Sequence, residues 1–523
     1  MFKPITILII LAIIFGGIYF WLVTPVVTDA NLSLRFDWPD EAANYFWIKN
    51  YAQTGQFAVF EPLNLVAKNQ IHPRSFNVRD DGSLVPGSFL GLILFYGLLG
   101  KVFGSLLIIY FTPIFAVFGA LAFYSIIKKF FDQKIALISA ILLLFHPAWW
   151  YYSVTSLLPN VVFISLVLIS LYFLLKIEKT KFLNLILSAF FAGLAVLIRP
   201  AELVWLLAIY LVFIIYQRKK LNLIRLTIFL ALIFLLILPV LYHQQILFGD
   251  FLVSGYDQLQ TDEINFCQTC KVVQSILLPF GFHPAQAVYN FWTHFVSRFW
   301  WWSLLAILGL VAYLVNQNRQ KTEIFVYLLL SLFVFGWLII YYGSWQFSDL
   351  LTVHLNTLGL SYVRYFLPLY ILALPFVALG LLWLISIFKH QFQTLALIIL
   401  TSILFYHSAN LVLYQKADSI MPVRNRILSY QQIASEVNNL TPAESVIVTI
   451  RKDKVFFPER RVIHSFDALA DNQELQEIIL PLINQTAVYY YALEPESSLE
   501  VGNLKLAEIK KFGQEILYQV QLK

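Results

Sequence analysis

Long apolar runs separated by short charged segments make up most of residues 1–414. A helix needs about 20 predominantly apolar residues to cross the roughly 30 Å hydrocarbon core of a bilayer. On this criterion the sequence predicts eleven membrane-spanning helices, at residues 5–27, 105–127, 134–151, 157–175, 182–198, 200–217, 223–242, 296–315, 324–342, 362–387 and 392–413. One further run, 88–103, is shorter and rich in glycine, and we predict a re-entrant or interfacial helix there.

The charged residues between the runs predict the topology. Membrane proteins keep an excess of Lys and Arg in their cytoplasmic loops. The most basic short loops, together with Lys3, hold 14 basic and 3 acidic residues, and they lie at 128–134, 176–181, 217–225, 316–323 and 388–391. If these segments face the cytoplasm, the N-terminus is cytoplasmic and eleven crossings place the C-terminal region outside. We therefore predict a multi-pass protein of the cell membrane.

Three longer polar segments then lie outside the membrane. They are the first outer loop, 28–87, a second outer loop, 243–295, and the region 415–523. The last region alternates predicted helices at 422–439 and 471–484 with strands at 445–450, 487–493 and 515–522, an order that favours a small α/β domain. The predicted fold is mainly α: a polytopic helix bundle over 1–414, with an extracytoplasmic α/β domain over 415–523.

Composition supports a membrane location and argues against two other classes of protein. Apolar residues make up 59% of the 523 residues and charged residues only 13%, whereas a soluble protein is nearer 25% charged. The net charge is +6, but the basic excess lies between the apolar runs. No basic patch with interleaved aromatics is present, so we predict no nucleic-acid partner.

An acidic cluster directly follows the first apolar run. It contains Asp37, Asp40 and Glu41. A positioned carboxylate can act as a general base. Because Asp40 follows Pro39, the same residues are also typical of a helix start, where the helix dipole stabilises negative charge. Capping and chemistry therefore remain alternatives for this cluster, in which Asp37 is also a candidate substrate or metal ligand.

A second acidic pair, Asp80 and Asp81, precedes Gly82. Carboxylate oxygens are ligands for divalent cations, so the pair is a candidate metal or substrate site. An Asp-Asp-Gly surface turn is the alternative interpretation.

Two arginines lie at the predicted outer ends of helices. The guanidinium group of Arg364 or Arg199 can bind a phosphate through two parallel hydrogen bonds. Snorkelling of the side chain to the membrane surface is the alternative, and Glu202 is a candidate local partner for Arg199. His354, in the predicted loop before Arg364, is either a substrate contact or a structural histidine.

The chain has two cysteines, Cys267 and Cys270, in the second outer loop. A local disulfide, two free thiols, or a metal site completed by His283 and His294 all fit this spacing.

These motifs occur together in a recognisable order. A PDEA sequence (39–42) follows the first helix, the first outer loop closes with DDGSLVPG (80–87), and LIRP (197–200) and VRYFLPLY (363–370) come later. In this arrangement the chain resembles the GT-C superfamily of membrane glycosyltransferases. It is most similar to the protein O-mannosyltransferases and the lipid A aminoarabinose transferases.

The resemblance implies a reaction. Such enzymes transfer a sugar from a polyprenyl-phosphate-sugar donor, with inversion, to a protein, lipid or glycan acceptor on the extracytoplasmic face. Asp40 matches the catalytic acidic residue, with Glu41 as its neighbour, and Arg364 matches an arginine near the donor phosphate. The chemistry of these relatives requires no cofactor, but oligosaccharyl relatives use a metal, so a divalent metal held by residues such as Asp80 and Asp81 stays open.

Three other functions remain as alternatives. A lipid-linked glycan ligase or polymerase would also have many helices, but its main outer loop is expected late in the chain. A flippase is expected to show internal repeats and charges in the middle of helices, which we do not find. A non-catalytic membrane scaffold would use region 415–523 as a binding module.

Overall fold

A computed structural model describes residues 3–25, 32–178, 180–257, 277–315, 322–346, 357–496 and 498–523. Within these ranges the chain forms two compact units. The first, here called the helical unit, takes its residues from 1–23, 109–239 and 262–422. The second, the α/β unit, takes its residues from 24–108, 240–261 and 423–523.

The helical unit is built from long apolar helices joined by short turns. Its helices are Pro4–Val23, Phe111–Phe130, Gln133–Phe145, Pro147–Val154, Pro159–Leu175, Leu183–Ile198, Leu203–Tyr216, Leu223–Phe248 (which extends beyond residue 239), Pro284–Phe291, Trp300–Val315, Thr322–Gly343, Ser361–Tyr365, Leu367–Ile385 and His390–Leu413.

In the part of the chain that the structure describes, each predicted apolar run consists mostly of helix. Among the described residues, six helices are long and apolar enough to span a membrane, and three bent helix pairs raise this number to nine if each pair is one span. Pro159–Leu175 is apolar but shorter. The mainly α, polytopic fold class is therefore confirmed, and the number of spans agrees approximately with the eleven predicted.

The bends occur where the helical hydrogen-bond pattern is interrupted. Pro147 and Pro200 each follow a break, because proline lacks an N–H and clashes with the preceding turn. The axes bend there by 49° and 110°. A single π-helical turn, Trp292–Ser297, precedes the third bend, of 93°. Such breaks open helix ends for side-chain contacts.

Apolar side chains cover the outside of several helices. Only 17% of the most apolar window of Leu223–Phe248 is buried, against 72% for Leu367–Ile385. Exposed apolar surface on this scale is stable in lipid and unfavourable in water. We therefore treat helix Leu223–Phe248 as peripheral and helix Leu367–Ile385 as part of the core of the helical unit.

The α/β unit contains helices Pro39–Thr54, Leu90–Phe103, Ile420–Leu440, Asp453–Phe456 and Gln473–Ile483. Helix Leu90–Phe103 lies at the predicted re-entrant segment. Its 14 residues extend about 21 Å at 1.5 Å per residue, which is less than the hydrocarbon core.

Two sheets complete this unit. The small sheet has the order β1-β3-β2, all antiparallel, from β1 (Val59–Phe60), β2 (Phe76–Val78) and β3 (Ser83–Pro86). The large sheet has the order β5-β4-β6-β9-β8-β7. Its strands are β4 (Val446–Ile450), β5 (Arg461–Ser465), β6 (Val488–Ala492), β7 (Glu500–Val501), β8 (Leu504–Phe512) and β9 (Glu515–Leu522). Strand β4 is parallel to β5 and β6, and the remaining pairs are antiparallel.

Both faces of the large sheet are covered, as parallel strands require. Helix Gln473–Ile483 packs on one face, and helix Ile420–Leu440 packs on the other. Successive residues of β4 alternate between the two cores, with Val448 on the first and Ile447 on the second. Ala67 and Ile71 of the first loop are also fully buried in the first core.

The α/β unit differs from the predicted region in two respects. Strands β5, β7 and β8 and the helix Asp453–Phe456 were not predicted. In addition, residues of the loop 28–87, assigned above to the membrane domain, pack within the same compact unit as residues 423–523. The predicted helices and the other strands of region 415–523 are present to within a few residues.

The burial of Ile71 generates a test. Ile71→Ala should lower the free energy of unfolding by about 2–4 kcal/mol, because a fully buried side chain leaves a cavity. Thermal denaturation in detergent measures this effect. Leu65→Ala is the control, since Leu65 lies in the same loop and is 61% exposed. Equal losses in the two variants would show that the loop does not contribute to the core.

Candidate functional site

Asp40 lies in the first turn of helix Pro39–Thr54. Pro39 occupies the first helical position, where its missing N–H costs nothing. Asp40 is half-buried, and its Oδ1 accepts a hydrogen bond of 2.7 Å from the hydroxyl of Ser75. The adjacent Glu41 is buried. The helix predicted after Pro39 is present, and its N-terminus stabilises both carboxylates.

Ser75 reaches Asp40 from an unusual backbone conformation. Its φ is +65°, which side-chain-bearing residues rarely adopt. The carbonyl of Ser75 accepts a hydrogen bond of 3.2 Å from the N–H of Gly87. A Cβ atom at Gly87 would lie 2.8 Å from that carbonyl oxygen, so only glycine allows this approach.

Asp37 is held by two cations. Arg426 donates two hydrogen bonds to its carboxylate, at 2.8 and 2.7 Å, and Lys454 Nζ lies 3.6 Å from Oδ1. Burial alone would raise the pKa of Asp37, but Lys454 and Arg426 outweigh it and the pKa is lowered. Asp37 is therefore an ionised, paired carboxylate.

Asp80 and Asp81 lie on the exposed turn between β2 and β3. Asp81 Oδ1 accepts a hydrogen bond of 2.9 Å from the N–H of Ser83, and Gly82 has a φ of +84°. This geometry matches the surface-turn interpretation. Among the described residues, no group of three or more His, Cys, Asp or Glu side chains is arranged to hold a metal ion.

In the helical unit, Arg199 is paired as its neighbours in sequence suggested. Its Nε and one terminal nitrogen donate to Glu202 Oε1 at 2.9 and 2.7 Å. Tyr342 donates to the same oxygen at 2.6 Å, and the indole N–H of Trp205 donates to Oε2 at 2.6 Å. The carboxylate and the guanidinium of this buried pair are therefore both satisfied by hydrogen bonds.

Tyr365 brings Arg199 and Arg364 to one place. The two guanidinium carbons lie 5.3 and 5.2 Å from the centre of its ring. Cations at this distance are attracted to the ring electrons. Tyr342 stacks on Tyr365 with a centroid distance of 4.3 Å. Arg364 is half-buried and donates to Ser361 Oγ at 3.2 Å.

The segment that precedes Arg364 is held by two charged residues. Arg298 donates to the carbonyl of Thr357, and Asp418 accepts from the N–H of Gly359. Asp418 was not selected from the sequence, because an isolated acid four residues before the helix predicted at 422–439 resembles a surface residue. Arg298 directly precedes the aromatic residues 299–302, and this local pattern does not indicate its contact with Thr357.

Three of the sequence-based candidates lie outside the described residues. They are His354, Cys267 and Cys270.

The comparisons with known proteins add to this geometry. A family model described as dolichyl-phosphate-mannose-protein mannosyltransferase matches residues 86–243, less than a third of the chain. This range includes Arg199 but neither Asp40 nor Arg364. No curated protein sequence matches the chain significantly.

The chain is similar in structure to ArnT from Cupriavidus metallidurans bound to undecaprenyl phosphate. The TM-score is 0.58 at 10% sequence identity, over 98% of this chain and 97% of that one. The chain has the GT-C fold. The fold implied by the resemblance is thereby confirmed.

Two other solved structures with the GT-C fold show weaker similarity. An oligosaccharyltransferase from Archaeoglobus fulgidus, in complex with Zn and sulfate, has a TM-score of 0.49 at 13% identity, over 92% of this chain and 68% of that one. AglB from the same organism, in complex with an inhibitory peptide and a dolichol-phosphate, has a TM-score of 0.44 at 13% identity, over 92% and 69%.

The buried pair in the helical unit can be tested. Glu202→Gln should lower the free energy of unfolding by about 3–5 kcal/mol, because it leaves the buried Arg199 guanidinium without a counter-charge. Thermal unfolding followed by circular dichroism measures this loss. The control is Glu178→Gln, which removes an exposed pair with Lys181 and should change stability by less than about 0.5 kcal/mol. If Glu202→Gln is as stable as the control variant, the buried Arg199–Glu202 pair does not contribute to stability in the way described here.

A histidine pair in the α/β unit predicts a pH dependence. Burial, reinforced by the nearby His464, lowers the pKa of His72 to about 4, and Asp453 and Pro73 only partly oppose this. Between pH 4 and 6.5 the unfolded chain therefore binds more protons than the folded protein does, and the free energy of unfolding rises with pH in this range. The melting temperature should fall as the pH drops from 6.5 towards 4. The fall should be smaller in His72→Gln, and identical pH profiles would contradict the prediction.

Proposed function

We propose that this chain is an inverting glycosyltransferase that uses a polyprenyl-phosphate-sugar donor. The observation that carries the proposal is the half-buried carboxylate of Asp40, oriented by Ser75 at the start of a helix, in a chain with the GT-C fold. The similar ArnT structure holds undecaprenyl phosphate, which supports this class of lipid carrier. The acceptor is a hydroxyl group of a protein, a lipid or a glycan, and the reaction takes place on the extracytoplasmic face.

The reaction requires a base for a weak nucleophile. In the proposed step the acceptor oxygen attacks the anomeric carbon, and the bond between that carbon and the phosphate oxygen breaks. The acceptor proton passes to the carboxylate of Asp40. Polyprenyl phosphate leaves, and the anomeric configuration inverts. Glu41 is the neighbouring candidate for the same role.

Negative charge on the departing phosphate needs a cation. Arg364 is the preferred candidate, because its guanidinium is half-buried and an arginine fork fits phosphate. Arg199 is the second candidate. Since its charge is already neutralised by Glu202, we assign it mainly to holding Tyr365 and thus Arg364. The chemistry written here needs no metal ion, and Asp80 and Asp81 remain the candidates for holding a divalent one.

The residues outside this chemistry also receive proposed roles. Asp37, first considered as a substrate or metal ligand, is proposed to anchor the loop through its two cations. His354 remains a candidate substrate contact. We place the chain in the cell membrane with a cytoplasmic N-terminus and an extracytoplasmic C-terminal region.

The decisive experiment compares the wild type with Asp40→Asn. Purified protein in detergent is given radiolabelled polyprenyl-phosphate sugars and a mixture of acceptors. Turnover of one donor should fall by about 100-fold or more in the variant, the lower range for loss of a general base. Asp471→Asn is the matched control, because it removes an exposed carboxylate of the α/β unit that belongs to none of the candidate sites.

Other outcomes are equally informative. Turnover that survives in Asp40→Asn moves the base elsewhere, with Glu41→Gln tested next. Turnover abolished by EDTA and restored by a divalent cation would place a metal in the reaction. If no donor is turned over or bound, the glycosyltransferase proposal fails, and flipping of lipid-linked sugars in liposomes becomes the test of the alternative.

A further inference from the structure

Two consecutive residues of the C-terminal region, Asp453 and Lys454, contact the first loop on both sides of Asp40. They begin the four-residue helix Asp453–Phe456, which lies between β4 and β5. The side chain of Asp453 is buried, and that of Lys454 is only 12% exposed. Neither has a role in the reaction proposed above.

Lys454 holds the backbone just before the helix of Asp40. Its ammonium group donates to the main-chain carbonyl of Asp37 and lies 3.6 Å from the carboxylate of the same residue. Arg426 holds the other side of that carboxylate through two hydrogen bonds. The position of residue 37, three residues before Asp40, is therefore determined by cations.

Asp453 holds the segment that supplies the hydrogen bond to Asp40. Its carboxylate accepts from the main-chain N–H of Arg74 and from the Nε of Arg74, each at 2.8 Å. The same guanidinium donates to the carbonyl of Arg451 at 2.6 Å. The next residue in the chain is Ser75, whose hydroxyl donates to Asp40.

Ser75 depends on this attachment. A positive φ at a serine is a strained conformation that persists only when surrounding contacts impose it. Three hydrogen bonds fix Arg74 on one side, and the N–H of Gly87 binds the carbonyl of Ser75 itself. Without the carboxylate of Asp453, the segment can relax and the hydroxyl can leave Asp40.

We propose that Asp453 and Lys454 are positioning residues for Asp40. They act through Ser75 on one side and through Asp37 on the other, and the inference rests on the proposed role of Asp40 as the base. A displacement of about 1 Å at a reacting group can reduce a rate by about 100-fold. On this proposal, the C-terminal region contributes to the reaction through the orientation of Asp40.

If Asp453 and Lys454 only stabilise the fold, substituting them should have no larger effect on kcat than substituting another residue that links the same two segments. Arg461 provides this control. Arg461 pairs with Glu61 at 2.8 Å and also joins the C-terminal region to the first loop. This pair touches neither Asp37 nor the Arg74–Ser75 segment. Arg461→Met should therefore lower stability in the same way as Lys454→Met, while leaving the orientation of Asp40 intact.

The experiment measures kcat, donor KM and melting temperature for Lys454→Met, Lys454→Arg, Ser75→Ala and Arg461→Met. Lys454→Met and Ser75→Ala should lower kcat by about 10-fold or more with little change in KM, as expected for lost orientation. Lys454→Arg should recover part of the loss. Ser75→Ala keeps the Cβ atom and removes only the hydroxyl through which Asp453 is proposed to act, so it tests that half of the proposal even if Lys454→Met does not fold.

Two failures can be told apart. If the wild type turns over no donor, the proposed function fails. If the wild type is active and Lys454→Met and Ser75→Ala lose no more kcat than Arg461→Met, the positioning role is overturned while the proposed function stands.

Discussion

The ion pairs around Asp37 are the constraint on which the geometry of the α/β unit depends. A carboxylate taken out of water costs several kcal/mol unless cations and hydrogen bonds replace the solvent. Arg426 and Lys454 provide that replacement from two different helices. Once these three charges meet, the first loop, helix Ile420–Leu440 and helix Asp453–Phe456 are held together. The start of helix Pro39–Thr54, and with it Asp40, follows two residues later.

In the helical unit, too, a carboxylate that is removed from water is stabilised by a cation and by hydrogen bonds. Glu202 neutralises Arg199, and Tyr342 and Trp205 satisfy the remaining hydrogen-bonding capacity. Tyr365 then lies between the two arginines and stacks on Tyr342. The pairing distinguishes two arginines that look alike in the sequence, because Arg199 is neutralised by an acid three residues away.

The helices could be predicted because each is marked by a continuous apolar run in the sequence. An apolar run of the right length has to be a helix in lipid, where every backbone polar group needs an internal partner. Strand β5 (RVIHS) and strand β8 (LKLAEIKKF) were missed because charged residues interrupt their alternation. Asp40 could be selected as a candidate from its position after Pro39. The ion pairs of Asp37 could not be predicted, since its partners lie 389 and 417 residues away in the chain.

The large sequence separation of these contacts has a consequence for biosynthesis. Residues of the first loop emerge from the ribosome long before their partners, which belong to the last hundred residues. Meanwhile Ile71 and Ala67 have no core to enter, and Asp37 has no cations. Contacts of such range form late, because the intervening chain must first be closed into a loop. The helices between them can insert one after another, so we expect the α/β unit to be the last part of the protein to acquire its structure.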